Sequence, residues 1–172
     1  MPALRAPDSA AGFTLIELVM VLAVVAIISA IAVSRMSSDP LVISTQAEQL
    51  ANDIRYVQSL AMTQAATAAP QARYRINFVS TSTYTITRAD GTPMPHPLTG
   101  STAATALGSG VTMTLPPVGL GNSLIGFDGR GIPYTDAAVS AALGATATIT
   151  LTKDAVTRSV TVAPETGLVR VP

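Results

Sequence analysis

The feature that most constrains this chain is an apolar stretch over residues 13–34, FTLIELVMVLAVVAIISAIAVS, in which Glu17 is the one charged residue. A helix of this length spans about 33 Å, enough for the hydrocarbon core of a bilayer. The stretch therefore predicts a transmembrane helix. A glutamate near the centre of a bilayer costs roughly 2.5–3.5 kcal/mol on insertion scales, so Glu17 is expected to have a function.

A cleaved signal peptide is the alternative interpretation of the same stretch. The sequence Ala30-Ile31-Ala32 has the small-x-small form of a cleavage site, which predicts a secreted β protein that begins at Val33. The preceding residues 1–12 fit a signal peptide poorly, because they are nearly neutral, with only Arg5 and Asp8 charged.

The segment GFTLIE at residues 12–17, followed by the apolar stretch, resembles the class III signal of type IV pilins and type II secretion pseudopilins. The resemblance implies that prepilin peptidase cuts between Gly12 and Phe13 and then N-methylates Phe13, so that residues 1–12 are a leader peptide. It also implies that Glu17 meets the terminal amine of a neighbouring subunit and so sets the register of assembly in a helical filament.

The same resemblance implies a location and a set of partners. The chain would sit in the inner membrane with a cytoplasmic N-terminus and a periplasmic C-terminal domain, and would enter a filament after processing. The implied partners are prepilin peptidase, other pilins or pseudopilins and inner-membrane lipid.

The fold class predicted for the whole chain is α+β, with a long N-terminal helix packed on a C-terminal antiparallel β-sheet domain, the pilin fold. Leu50, Ile54, Val57 and Ala61 recur at helical spacing, so residues 35–70 are expected to be the amphipathic half of this helix, kinked near Pro40. Residues 71–172 are expected to form the β-rich domain.

Alternating apolar residues define the strands of this domain. Tyr74, Ile76 and Phe78 share one face of the first predicted strand, and Tyr84 and Ile86 share one face of the second. Residues 89–110 are expected to be a surface loop. Further strands are predicted over residues 111–115, 123–127, 146–152, 157–163 and 168–171.

The C-terminal half carries a second resemblance. The segments IGFDGRGIP at residues 125–133 and GLVRV at residues 167–171 resemble the GspH/FimT class of minor pilins, and MSHA-type minor pilins have a similar layout. A DNA-binding minor pilin for DNA uptake is the alternative function, with Arg158 and Arg170 as candidate contacts. Arg73, Arg75 and Arg88 are a further candidate basic patch.

Composition excludes several chemistries. The chain has no net formal charge, no cysteine and one histidine, His96, which excludes disulfides and cysteine-based metal sites. His96 is expected to be solvated in its proline-rich loop, and no metal site or cofactor is predicted. Asp128 and Asp136 are expected to cap turns around the glycines at 129 and 131. No catalytic residues are identified, so the chain is expected not to be an enzyme.

Overall fold

The computed structural model describes residues 13–35, 39–64, 74–108, 110–138 and 140–172, with the side chains of residues 31–35 left out. The chain divides into two compact units, Met1–Ser37 and Ser38–Pro172. The α+β fold is confirmed: two helices accompany antiparallel β-sheets, and the second helix packs on both sheets. Gly12 of the predicted cleavage site and Arg73 of the candidate basic patch lie outside the described residues.

The first unit contains the helix α1, Leu15–Arg35. The helix begins at Leu15 rather than at Phe13, and no helix in the described part of the chain is both long and apolar enough to cross a membrane. The transmembrane helix predicted over residues 13–34 is therefore not supported.

The second unit begins with the helix α2, Asp39–Gln64. Pro40 lies in its first turn, where the missing N–H group of a proline breaks no helical hydrogen bond. The predicted apolar stripe is confirmed, because Leu50, Ile54, Val57 and Ala61 are all buried. This stripe packs on strands of two separate sheets, so α2 is the common support of the domain.

Nine strands follow α2 among the described residues. They are β1 (Tyr74–Ser80), β2 (Thr83–Arg88), β3 (Thr105–Ala106), β4 (Thr112–Met113), β5 (Leu124–Phe127), β6 (Pro133–Tyr134), β7 (Ala147–Lys153), β8 (Val156–Val162) and β9 (Val169–Arg170). One sheet has the order β3-β2-β1-β5-β6 and the other the order β4-β7-β8-β9. All pairings between these strands are antiparallel.

Two of the antiparallel pairs are hairpins between strands that follow each other in the chain. β1 pairs with β2, and Tyr74, Ile76 and Phe78 face the core as their alternation predicts. β7 pairs with β8 across a tight turn in which Asp154 has a φ of 50°. β3 lies inside the segment predicted to be a loop, and β6 was also not predicted, because strands of two residues are too short to show an alternating pattern.

Candidate functional site

Thr14 is the N-cap of α1. Its carbonyl oxygen accepts hydrogen bonds from the N–H groups of Glu17 at 3.1 Å and Leu18 at 3.2 Å. Its hydroxyl oxygen Oγ1 accepts a second bond from the Glu17 N–H at 3.3 Å. This is the threonine half of a Thr-x-x-Glu capping box, a signal that is visible in the sequence although the sequence analysis gave Thr14 no role. The cap starts the helix at Leu15 and leaves Phe13 outside it, 86% exposed.

Glu17 lies in the first turn of α1, where the partial positive charge of a helix N-terminus favours a carboxylate. Its side chain is exposed, as are the neighbouring apolar side chains of residues 15–30. Within the described part of the chain, no cation lies within ion-pair distance of its carboxylate. Glu17 is therefore available to a group from another molecule.

A second cluster of polar side chains is buried between α2 and the loop that follows β2. Asp53 on α2 accepts hydrogen bonds on Oδ2 from the hydroxyl of Tyr84 and from Nε2 of His96, the latter at 2.9 Å. All three residues are at most 3% exposed. Burial, together with the adjacent Asp53 carboxylate, raises the pKa of Tyr84 well above its usual value, so its hydroxyl stays a donor.

His96 corrects the prediction of a solvated histidine. Its Nδ1 accepts a hydrogen bond from the Leu98 N–H at 3.2 Å, so the ring carries its proton on Nε2 and donates it to Asp53. The backbone of His96 is held as well, by bonds to Ser101 and Gly100 at 2.8 Å each. The loop is therefore fixed to α2 through this ring, which donates a hydrogen bond to the buried Asp53 carboxylate.

A groove of about 450 Å³ lies beside this cluster on the exposed side of α2. Its lining combines acidic and amide side chains of the helix with an aromatic ring and two loop residues: Thr45, Glu48, Gln49, Asn52, Asp53, Tyr56, Pro97 and Leu98. The lining contains two carboxylates and no cation.

Two polar side chains of α2 hold the C-terminal segments in place. The Gln58 amide Nε2 donates to the carbonyl oxygens of Gly131 at 2.9 Å and Thr166 at 3.1 Å. Arg55 donates to the carbonyl oxygen of Val169 at 3.0 Å. These roles cannot be predicted from the sequence, because both residues lie off the apolar stripe and their partners are more than 70 residues away in the chain.

The turn-capping role predicted for Asp128 and Asp136 is confirmed. Asp128 Oδ1 accepts from the backbone N–H groups of Arg130 and Ile132, each at 2.9 Å. Burial raises the pKa of Asp128, but these two N–H groups and the Arg130 guanidinium outweigh it, and the net pKa lies below the usual value. Asp136 caps its turn in the same way, because its Oδ1 accepts from the backbone N–H groups of Ser140 at 2.8 Å and Ala141 at 2.9 Å.

The candidate DNA contacts do not come together. Along β8, Arg158 lies on the same face as the buried Val160 and Val162, and its Nε donates to Ser44 Oγ on α2 at 3.3 Å. Arg170 pairs with Thr161 on the opposite face of the same sheet, since side chains alternate along a strand. The two arginines thus project from different faces and form no common patch.

The described residues of the first hairpin also give no basic patch. Arg88 is paired with Tyr74, and its guanidinium lies 5.9 Å from the centre of that ring, on the core side. Arg75 is paired with Thr87, on the other face of the sheet, and its Nε donates to the Thr87 hydroxyl at 3.0 Å. DNA binding therefore has no support from the placement of the described arginines.

The chain matches a family model described as the prokaryotic N-terminal methylation motif, over residues 8–33. This is the class III signal, and it makes the N-terminal part of the chain type IV pilin-like. Such a signal is processed by prepilin peptidase and belongs to proteins that are membrane-anchored or filament-associated and assemble with other pilins. No curated protein and no solved structure matches the chain.

Proposed function

We propose that this chain is a minor pilin or pseudopilin, a structural subunit that enters a type IV pilus or a type II secretion pseudopilus through α1. The observation that carries the proposal is the methylation motif over residues 8–33, which continues into an apolar helix with Glu17 in its first turn. The β-rich domain lies on the periplasmic side. The resemblance of the C-terminal half to the GspH/FimT class supports the minor type.

Processing creates the group that Glu17 needs. Cleavage between Gly12 and Phe13 frees an ammonium at Phe13, four residues before Glu17, and the same peptidase methylates it. In an assembly, the exposed apolar side chains of α1 are covered by neighbouring copies of similar helices. An unpaired charge in such surroundings is costly, whereas an amine and a carboxylate from adjacent subunits offset one another's desolvation.

The pair then fixes the axial offset between subunits. Apolar helices alone slide past one another at little cost, but a buried polar pair forms at one offset only, as a buried polar residue fixes register in a coiled coil. Glu17 is therefore a register residue. We assign the chain no catalytic activity and no cofactor, and treat it as a substrate of the peptidase.

The test replaces Glu17 with glutamine in cells that contain the peptidase and the assembly machinery. Removing one partner of a buried ion pair costs about 3–5 kcal/mol, so incorporation into filaments is expected to fall more than a hundredfold. Glu165→Gln, an exposed acidic residue of the domain, is the matched control and should assemble normally. Normal incorporation of the Glu17→Gln chain would refute the proposal.

A further inference from the structure

The groove on α2 has a composition that suits a small organic cation. Its volume of about 450 Å³ is within the range of small-molecule sites, and the described residues that line it include Glu48 and Asp53 but no lysine or arginine. Because five residues turn an α-helix by about 140°, Glu48 and Asp53 lie on opposite flanks of the groove, with Asn52 and Tyr56 between them. The groove belongs entirely to the second unit.

The Asp53 carboxylate presents an acceptor oxygen to this groove. Its side chain is 2% exposed, and Tyr84 and His96 both donate to Oδ2, whereas no donor among the described residues bonds to Oδ1. In that part of the chain the one sealed polar side-chain atom without a partner is Arg88 Nε, so Oδ1 is not sealed and opens on the groove that Asp53 lines. A carboxylate oxygen in this situation is a binding position for an ammonium or guanidinium group, whose hydrogen bonds are roughly twice as strong as those of neutral donors.

The other flank and the walls of the groove suit the rest of such a ligand. Glu48 is exposed, and no cation of the described residues lies within ion-pair distance of it. Tyr56 is half-buried, and a tyrosine ring attracts a cation over its face. Pro97 and Leu98 add apolar surface that can cover an alkyl chain. A ligand with two cationic ends and a short apolar chain between them matches all of these features.

The basic side chains beside the groove do not neutralise it. Arg55 donates from one guanidinium nitrogen to Asn52 Oδ1 at 2.7 Å and from the other to the Val169 carbonyl oxygen at 3.0 Å, so its charge is held at the C-terminal strand. The His96 ring is neutral, because its Nδ1 accepts from the Leu98 N–H. The two carboxylates therefore keep their attraction for a cation from solution.

We propose that the groove between Glu48 and Asp53 binds a small aliphatic diamine, with one ammonium group on Asp53 Oδ1 and the other on Glu48. Five residues add about 7.5 Å of rise to the separation of these side chains around the helix, a span that a four-carbon diamine with a hydrogen bond at each end can bridge. The alkyl chain then crosses Tyr56. This binding goes beyond the proposed function in assembly and does not depend on it.

The test titrates the full chain, in non-ionic detergent and at constant ionic strength, with three probes of equal chain length. Putrescine carries two cations, n-butylamine carries one and n-butanol carries none. His96 is the one histidine of the chain, so its isotope-labelled ring gives an unambiguous NMR signal beside Asp53. Putrescine should shift this signal saturably, n-butylamine should bind about fivefold more weakly, and n-butanol should leave the signal in place.

A Glu48→Gln variant separates the two cationic contacts. It should weaken the binding of putrescine about fivefold and leave that of n-butylamine within about twofold, so that the two amines bind alike. Tyr56→Leu keeps an apolar side chain but loses the ring, and should weaken both amines about threefold. Glu165→Gln, an exposed acidic residue outside the lining, is the matched control and should leave both affinities unchanged.

Three results would each refute the diamine site: equal affinities of the two amines for the unaltered chain, a shift of the His96 signal with n-butanol equal to that with putrescine, or an unchanged putrescine affinity in Glu48→Gln. None of them bears on the processing of Phe13 or on the incorporation of the Glu17→Gln chain into filaments. Failure of the diamine site is therefore distinguishable from failure of the proposed function.

Discussion

Replacing Gly167 with alanine is expected to destabilise the domain by about 2–5 kcal/mol. Gly167 has a φ of 64°, a left-handed conformation that costs a residue with a Cβ atom about 1–2 kcal/mol. A Cβ built there would lie 2.6 Å from the Gly131 carbonyl oxygen, 2.5 Å from Gln58 Nε2 and 3.0 Å from Phe127 Cε1. Overpacking of this kind adds about 1–3 kcal/mol.

The conformational part of this cost can be separated from the packing part. Gly91 has a φ of 88°, and a Cβ built there meets nothing within 4 Å. Gly91→Ala is therefore the matched control, with an expected loss of about 1–2 kcal/mol from backbone conformation alone.

The assay is urea unfolding of the full chain in mild detergent, followed by circular dichroism of the β-sheet signal. Gly167→Ala should lower the urea concentration at the unfolding midpoint clearly more than Gly91→Ala does. The Gly131 carbonyl oxygen belongs to the backbone, so it cannot move away from the new Cβ by a change of rotamer. Equal losses for the two variants would show that the Gln58-bonded loops are not packed as closely as the structure describes.

Three further changes test the polar contacts. Tyr84→Phe removes one donor from the buried Asp53 and should cost about 1–3 kcal/mol in the same urea assay. Asp128→Ala should destabilise the domain at pH 7. The folded state lowers the pKa of Asp128, so the wild type's extra free energy of unfolding is complete above the unfolded pKa of 3.8 and decreases as the pH falls below it. Urea unfolding of both proteins at pH 7 and at pH 3 measures this decrease. Thr14→Ala should destabilise the first turn of α1 by about 1 kcal/mol and so speed amide hydrogen exchange at Glu17. Thr14→Ser keeps the capping hydroxyl and should produce neither effect.

The parts of the fold that could be predicted are those governed by local periodicity. The buried stripe of α2 and the core face of β1 follow from spacings of three to four and of two residues, which the chain cannot satisfy in another way without exposing apolar surface. The β7–β8 hairpin follows from two β-branched runs separated by a short turn.

The candidate sites were less predictable, because their partners lie far apart in the chain. Asp53 lies three residues after Leu50 and four before Val57, on the buried side of α2. The sequence does not show what satisfies its carboxylate there, because His96 comes from a loop 43 residues later. Gln58 and Arg55 likewise bond to segments from the opposite end of the domain. Thr14 was within reach of the sequence because a capping box is a local signal, and the turn caps of Asp128 and Asp136 were predicted for the same reason.

The mass of the mature N-terminal peptide tests the central claim most directly. In cells with prepilin peptidase, the account predicts a chain that lacks residues 1–12 and begins at N-methylated Phe13. A peptide that still carries the leader, or a chain that begins at Val33, would contradict it.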